Sequence, residues 1–250
     1  MVNILMNGYL GRMGRVILEL SKERDDLEVI AGVDYKAPEN EVFSFSTYTD
    51  YENIEVRPDV IIDFSNPVAL DGILSYALAN EVPVVICTTG FSEEQLAKID
   101  EAAKTIPVFF SANMSIGVNL ISELAKKAAE ILYPGFNIEI VEAHHNQKLD
   151  APSGTALLLA KRICEARGEM KFVLGRSGHA KREPDEIGIH ALRYGSETGT
   201  HEIIISNGME TITLKHEAEN RALFAQGALV AARELVKMEP GLYDMRSIVE

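Results

Sequence analysis

Cysteine is scarce in this chain. Cys87 and Cys164 stand far apart and in no CxxC pair, so neither a disulfide framework nor a thiolate zinc site is suggested and a reducing compartment is the default. No apolar run approaches the roughly 18 residues that span a bilayer. The opening segment Val2-Asn3-Ile4-Leu5-Met6 carries neither a basic stretch before it nor a small-residue cleavage site behind it, so a cytoplasmic protein without a membrane partner is expected. Basic residues are outnumbered, 24 Lys and Arg against 38 Asp and Glu, for a formal charge of −14. A field of that sign repels nucleic acid and anionic membranes, and any anionic ligand must be held by local positive groups. Glycine (18) and proline (9) are too few for a fibrous or low-complexity chain, while 46% apolar and 25% charged residues suit a folded globular one. A length of 250 residues allows one large domain or two small ones.

Over the first 112 residues, short β-rich runs alternate with patterns of period 3.6, the signature of βαβ units and a parallel sheet. Strands are expected over 2–6, 28–33, 60–64, 82–87 and 107–110, and helices over 12–22, 67–79 and 93–104, the last opened by Ser92. This is an α/β, Rossmann-like dinucleotide-binding architecture. After Asn113 the texture changes. A helix over 118–132, closed by Pro134-Gly135, leads to a strand over 136–143, a polar loop, a helix over 153–166, and a basic loop over 176–182. Strand-like runs follow over 187–194, 201–206 and 209–215, the last two joined by the hairpin dipeptide Asn207-Gly208. That reads as a second, α+β domain on a mixed or antiparallel sheet. A helix over 221–237 and a Pro240-Gly241 stop end the pattern. The expected division is a dinucleotide-binding domain of residues 1–113 plus 222–250, and a substrate-binding and oligomerisation domain of residues 114–221.

Gly8, Gly11 and Gly14 follow the first strand directly and open the first helix. Glycine there lets the backbone turn sharply beside a pyrophosphate, which the helix N-terminal amides and dipole then hold. Arg12 and Arg15 add positive charge. The spacing is GxxGxxG rather than GxGxxG, and a tight strand-to-helix turn alone would also use these glycines. Asp34 ends the second strand, 20 residues beyond Gly14, the distance at which an acid accepts bonds from the adenosine ribose. That favours NADH, whereas Lys36 could pair with the 2′-phosphate of NADPH, so dual specificity is expected. The loops from Phe64 to Pro67 and from Thr88 through Thr89 and Gly90 to Phe91 fall at the carboxyl edge of the sheet, where ligands bind, though any such turn needs these residue types.

All six histidines lie beyond residue 143. Two of them, His144 and His145, begin a segment that runs through Lys148 into a helix whose first turn contains Ser153, Gly154 and Thr155. Amides at that turn and the lysine charge suit a carboxylate, and an imidazole with an ordinary pKa of about 6.5 exchanges protons near neutrality. Adjacent histidines can instead form a metal pair or sit solvated in a loop, and Ser153 can be an ordinary cap. No HExxH spacing supports a metal, and no GxSxG elbow a nucleophilic serine.

The motifs GxxGRMG at 8–14, TTGF at 88–91, and EAHHxxKxDAPSGT at 142–155 resemble the dihydrodipicolinate reductase family. The likeness extends through SANMSxGVN at 111–119, EIGIHALR at 186–193, RxxFAxG at 221–227 and GLYDMR at 241–246. The resemblance implies reduction of a cyclic dicarboxylate imine, 4-hydroxy-tetrahydrodipicolinate, by NADH or NADPH with loss of water, in the diaminopimelate and lysine pathway. It makes His144 the proton donor, or the group that steadies charge on the ring nitrogen, and Lys148 its partner at a substrate carboxylate. His145, Ser153, Gly154 and Thr155 would bind substrate. Gly8, Gly11, Arg12, Met13, Gly14, Asp34, Lys36, Phe64, Thr88, Thr89, Gly90, Ala112, Asn113 and Met114 would contact the cofactor, and no metal is implied. A homotetramer built through the second sheet and a hinge that closes on substrate also follow. Tyr9 occupies a spot that often holds a small residue, which would alter the pocket over the cofactor. Two rivals are a related amino-acid or sugar dehydrogenase, which would need a different proton-donor segment, and a dinucleotide-sensing module without turnover.

Overall fold

The apolar run at the start of the chain folds as β1 (Val2–Asn7), and the glycine turn after it delivers the chain into α1 (Arg12–Lys22). The computed structural model describes residues 1–36, 38, 41–132 and 135–249. The chain divides into two compact units, residues 1–116 with 222–250, and residues 117–221.

In the first unit the chain continues through β2 (Leu27–Val33), β3 (Ser46–Tyr48), β4 (Val60–Asp63), α2 (Leu70–Asn80), β5 (Val84–Ile86), α3 (Glu93–Ala102) and β6 (Pro107–Phe110). Among the described residues, seven strands, the last being β12 (Gly241–Tyr243), form one sheet in the order β12-β6-β5-β4-β1-β2-β3, with every neighbouring pair parallel. Because β2 and β3 lie on one side of β1 and β4 to β6 on the other, the winding reverses between β1 and β4. The carboxyl ends of strands at such a switch point form a crevice, and here they carry Asn7-Gly8 and Asp63-Phe64. Strands buried on both faces are continuously apolar, as β4 is over 60–62, before the buried Asp63 at its end. α6 (Ala222–Leu235) returns to this unit and buries Ala225, Ala228, Leu229, Ala232 and Leu235 with Ile17 of α1 and Ile62 of β4 in one core cluster.

The second unit holds α4 (Ile116–Leu132) from Gly117 onward, then β7 (Asn137–His144), α5 (Gly154–Arg167), β8 (Lys171–Leu174), β9 (Glu186–Arg193), β10 (Thr200–Ser206) and β11 (Thr211–Glu217). Its sheet runs β11-β10-β7-β9-β8. β7, β8 and β9 are mutually parallel where they pair, and β10 is antiparallel to β7 and β11, so the sheet is mixed. Alternation places Ile138, Ile140, Ile187, Ile189, Ile203 and Ile205 on one face, packed in a core cluster with Ala125 and Ala129 of α4 and Leu159 and Ile163 of α5. The register sets Glu142 opposite His201 and His144 opposite Arg193.

Several boundaries differ from the sequence expectation. The helix expected from Pro67 starts as a single 3-10 turn, Pro67–Ala69, capped by the Asn66 side chain, before α2 proper. Ser92 does start α3, with Gln95 closing a reciprocal capping box. The Asn207-Gly208 hairpin holds four loop residues, not two. Asn207 Oδ1 accepts from the amides of Met209 and Glu210, which delays β11 to Thr211. Pro240-Gly241 does not end the pattern, because Gly241–Tyr243 forms β12 beside β6, and α7 (Arg246–Val249) follows. The three-residue strands β3 and β12 are too short for a periodic signal. The stop expected at Pro134 lies outside the described residues.

Candidate active site

In the first unit, Gly8 has φ +82°, and a Cβ on it would stand 2.7 Å from the Phe64 carbonyl oxygen. Only glycine lets the two strand ends approach this closely. Gly14 is equally constrained, since its Cβ would lie 2.2 Å from the Gly8 carbonyl oxygen. Gly11 caps α1 with no side chain, so the first-turn amides of Arg12, Met13 and Gly14 meet no capping group and stand at the positive end of the helix. Asp34 accepts from the Leu10 amide at 3.2 Å, which turns its carboxyl toward the same loop. Lys36 lies over the Tyr35 ring at 5.1 Å. Gly8, Gly11, Asp34, Lys36 and Phe64 line one cleft of about 570 Å³.

The neighbouring strand ends are tied together by a buried carboxyl. Asp63 Oδ1 accepts from Asn7 Nδ2 at 2.7 Å, the Ser65 hydroxyl at 2.5 Å and the Ser65 amide at 3.1 Å. Burial pushes the Asp63 pKa up against these bonds. Thr88 Oγ1 accepts from the Ser65 amide at 3.0 Å, while Thr89 and Gly90 continue the exposed loop after β5. Ala112 and Asn113 follow β6, where the Asn113 side chain accepts from the Ser115 amide.

The side chains of two expected contributors point into the core and leave only their backbone to the cleft side. Met114 is 3% exposed in the core, with its carbonyl beside Gly227, and Met13 packs partly buried against the same core. Tyr9 does not overhang a cofactor pocket. Its ring is fully buried, edge-on to Phe43 and Phe45, and Gly32 makes room for it. The Arg15 charge is neutralised by Glu41 through two bonds of 2.6 and 2.7 Å.

In the second unit, His144 closes β7 at 8% exposure, with Nδ1 2.7 Å from Glu142 Oε2. Glu142 is fully buried and receives both arms of the Arg193 guanidinium at 2.8 Å, while its Oε1 also accepts from the Ser153 amide at 3.0 Å. Burial alone would raise the Glu142 pKa, but bonds from Arg193, His144 and Ser153 hold it below the usual value. His144 is pushed down by burial, and by Lys148 and Arg193, more than Glu142 raises it. Arg193 also donates to the Asp150 carbonyl at 2.7 Å, and Lys148 Nζ lies 2.9 Å from Asp150 Oδ1. Ser153 Oγ accepts from the Ala156 amide, capping α5, and lies 3.0 Å from His201 Nε2. Gly154 and Thr155 follow as its first turn. The His144 and His201 rings meet edge-on at 5.2 Å. The His145 amide donates to the Glu197 carbonyl, and its Nε2 lies 3.4 Å from Arg221.

The structure brings His144, Lys148 and Ser153 into one network, whose other members were not among the expected site residues. Glu142 was legible in one respect, since a residue two before His144 on a strand shares its face. Arg193, the last residue of the 186–193 motif, and His201 arrive from β9 and β10, and no local signal marks either as a partner of Glu142 or Ser153.

A parallel sheet with an uncapped glycine turn at its switch point, in a chain whose second unit bears a buried imidazole held by a carboxylate, defines an oxidoreductase that uses a nicotinamide dinucleotide. Family models agree in detail: the dihydrodipicolinate reductase N-terminus matches residues 2–114 and the dihydrodipicolinate reductase C-terminus matches residues 117–249. The chain belongs to the dihydrodipicolinate reductase family, whose reaction is a step of lysine and diaminopimelate biosynthesis. Similar curated relatives are the 4-hydroxy-tetrahydrodipicolinate reductases of Clostridium novyi (strain NT), 46% identical over 100% of this chain and 99% of the relative, and of Clostridium botulinum (strain Eklund 17B / Type B), 47% identical over 100% and 98%. The solved dipicolinate-bound dihydrodipicolinate reductase from Paenisporosarcina sp. TG-14 superposes with a TM-score of 0.83 at 27% identity, covering 98% of this chain and 97% of that one.

Proposed function

We propose that the chain reduces 4-hydroxy-tetrahydrodipicolinate to tetrahydrodipicolinate, consuming NAD(P)H and one proton and releasing NAD(P)⁺ and water, with the second unit binding substrate and the first the cofactor. When bound, the reduced nicotinamide supplies the hydride. The observation that carries the residue assignment is the single network joining Lys148, Asp150, Arg193, Glu142, His144 and Ser153. It gathers an imidazole, an ammonium and the start of a helix in one short segment.

His144 gives a proton toward the substrate ring nitrogen, which keeps negative charge from building on a ring that already bears two carboxylates. At rest its lowered pKa leaves it largely neutral near pH 7, and an arriving dianion favours its protonated form. Lys148, with Asp150 as its resting partner, takes one substrate carboxylate. His145 and the first-turn residues Ser153, Gly154 and Thr155 hold substrate at the positive end of α5. On the cofactor side, Gly8, Gly11, Arg12, Met13 and Gly14 bind pyrophosphate, supported by the bare cap of α1. Phe64, Thr88, Thr89, Gly90, Ala112, Asn113 and the Met114 backbone border the nicotinamide end.

Asp34 beside the glycine turn favours the NADH ribose and Lys36 the 2′-phosphate of NADPH, so both cofactors serve. The enzyme works in the cytoplasm as a homotetramer associated through the second sheet. No helix among the described residues is long and apolar enough to cross a membrane.

The test is a nicotinamide absorbance assay with freshly generated substrate, run with NADH and with NADPH. His144→Gln is expected to lower kcat by about 10²-fold or more with cofactor affinity unchanged, and Lys148→Ala to raise KM for substrate. Wild-type rates in both variants would remove the mechanism.

A further inference from the structure

Glu142 is a buried carboxylate that no step above uses. Its two oxygens meet four donors: Arg193 reaches both, Oε2 faces His144 Nδ1, and Oε1 takes the Ser153 amide. An anion in such company is an obligate acceptor, so His144 must keep a proton on Nδ1 and use Nε2 for exchange. On the other side, the same carboxylate fixes the residue whose hydroxyl caps α5. One side chain therefore spans the two halves of the segment, the imidazole that delivers a proton and the helix start that holds an anion.

We propose that Glu142, clamped by Arg193, is a positioning residue for the reductase reaction, fixing the His144 tautomer with Nε2 outward and registering the α5 turn against it. This deepens the reading of His144 as proton donor and rests on it. Arg193 makes the arrangement tolerable, because a bare buried carboxylate would protonate and its bond to His144 would lose its direction. The bond from Arg193 to the Asp150 carbonyl extends the clamp to the loop that carries Lys148.

The charges around His144 fix the sign of the expected pH effect. Glu142 on its own strand raises its pKa. Arg193 from β9 and Lys148 from the following loop lower it. His201 on β10, itself pushed low by burial, adds no charge at neutral pH, and His216 on β11, also lowered by burial, lies beyond it. Asp150 is paired with Lys148, and Glu197 accepts from the amide of Gly199, the residue against Nε2. Removing the Glu142 charge therefore leaves an excess of cations, and the imidazole loses its proton at lower pH.

The experiment measures kcat and kcat/KM against pH for wild type, Glu142→Gln, the double variant Glu142→Gln/Arg193→Gln, and His144→Gln, with NADH affinity followed by fluorescence. In Glu142→Gln the alkaline limb is expected to move down by about one pH unit, with kcat near pH 8 falling about tenfold and NADH affinity unchanged. Should the single variant fail to fold because Arg193 is left unpaired, the double variant buries no net charge. There the limb still moves down, by less, because Glu142 acts on His144 more strongly than Arg193 does. A side chain of purely structural importance would change yield or Tm and leave the limb in place. A limb lost in His144→Gln but unmoved in a folded Glu142 variant overturns this inference alone. A wild-type limb in His144→Gln overturns the proton-donor reading and this inference with it.

Discussion

Ser153 donates its backbone amide to Glu142 Oε1 at 3.0 Å, across eleven residues of chain, while its hydroxyl accepts from the Ala156 amide at 3.1 Å. One residue thus ends the loop and begins α5, and the two bonds separate by mutation because only the second uses the side chain. Ser153→Ala keeps the amide bond but strips the cap and the partner of His201 Nε2. A loss of about 1 kcal/mol is expected from the cap, with a higher KM for substrate as the α5 turn loosens. Chemical denaturation and steady-state kinetics measure the two effects, and an unchanged midpoint would mean that the cap is not formed in solution.

Gly14 faces only backbone. A Cβ there would lie 2.2 Å from the Gly8 carbonyl oxygen and 2.7 Å from the Tyr9 Cα, and no rotamer change can relieve either contact. Gly14→Ala is expected to cost about 3 kcal/mol or more and to abolish dinucleotide binding. Gly154→Ala is the control, since a Cβ there meets nothing within 4 Å and the fold should keep its wild-type Tm. Thermal melts with and without NADH distinguish them, and a Gly14→Ala protein that melts and binds like wild type contradicts the geometry.

His201 is 3% exposed, and burial drives its pKa from the ordinary 6.5 down to about 3, with the neighbouring His144 contributing. The folded value lies below the unfolded one, so its contribution is complete above pH 6.5 and is lost as pH falls toward 3, because the unfolded chain takes the proton first. At pH 5 the loss is about 2 kcal/mol. His144 and His216 are displaced in the same direction. Urea unfolding at pH 7 and pH 5 checks this: His201→Gln should lose about 2 kcal/mol less than wild type between the two, and an equal loss would show that another group sets the acid limit.

Much of the site was legible because its signals are local. The GxxGxxG turn after an apolar strand reads as a helix start beside an anion, and Ser92 reads as the start of the next helix but one, because each depends on residues within one turn of helix. His144, Lys148 and Ser153 stood out as a dense polar run for the same reason. Tyr9 shows the limit. Its place between Gly8 and Leu10 says nothing of Phe43, Phe45 and Gly32, which turn it into the core.

The sequence alone determined the alternation of strand and helix, the glycine turn, and the segment that carries the reactive side chains, since periodicity and turn chemistry act over a few residues. Tertiary structure decided which groups govern those side chains. Arg193 reaches Glu142 from 51 positions away, and His201 reaches Ser153 from 48. Both arrive because β9 and β10 flank β7 in the mixed sheet, a pairing set by burial of a common isoleucine face and by no pattern near either residue.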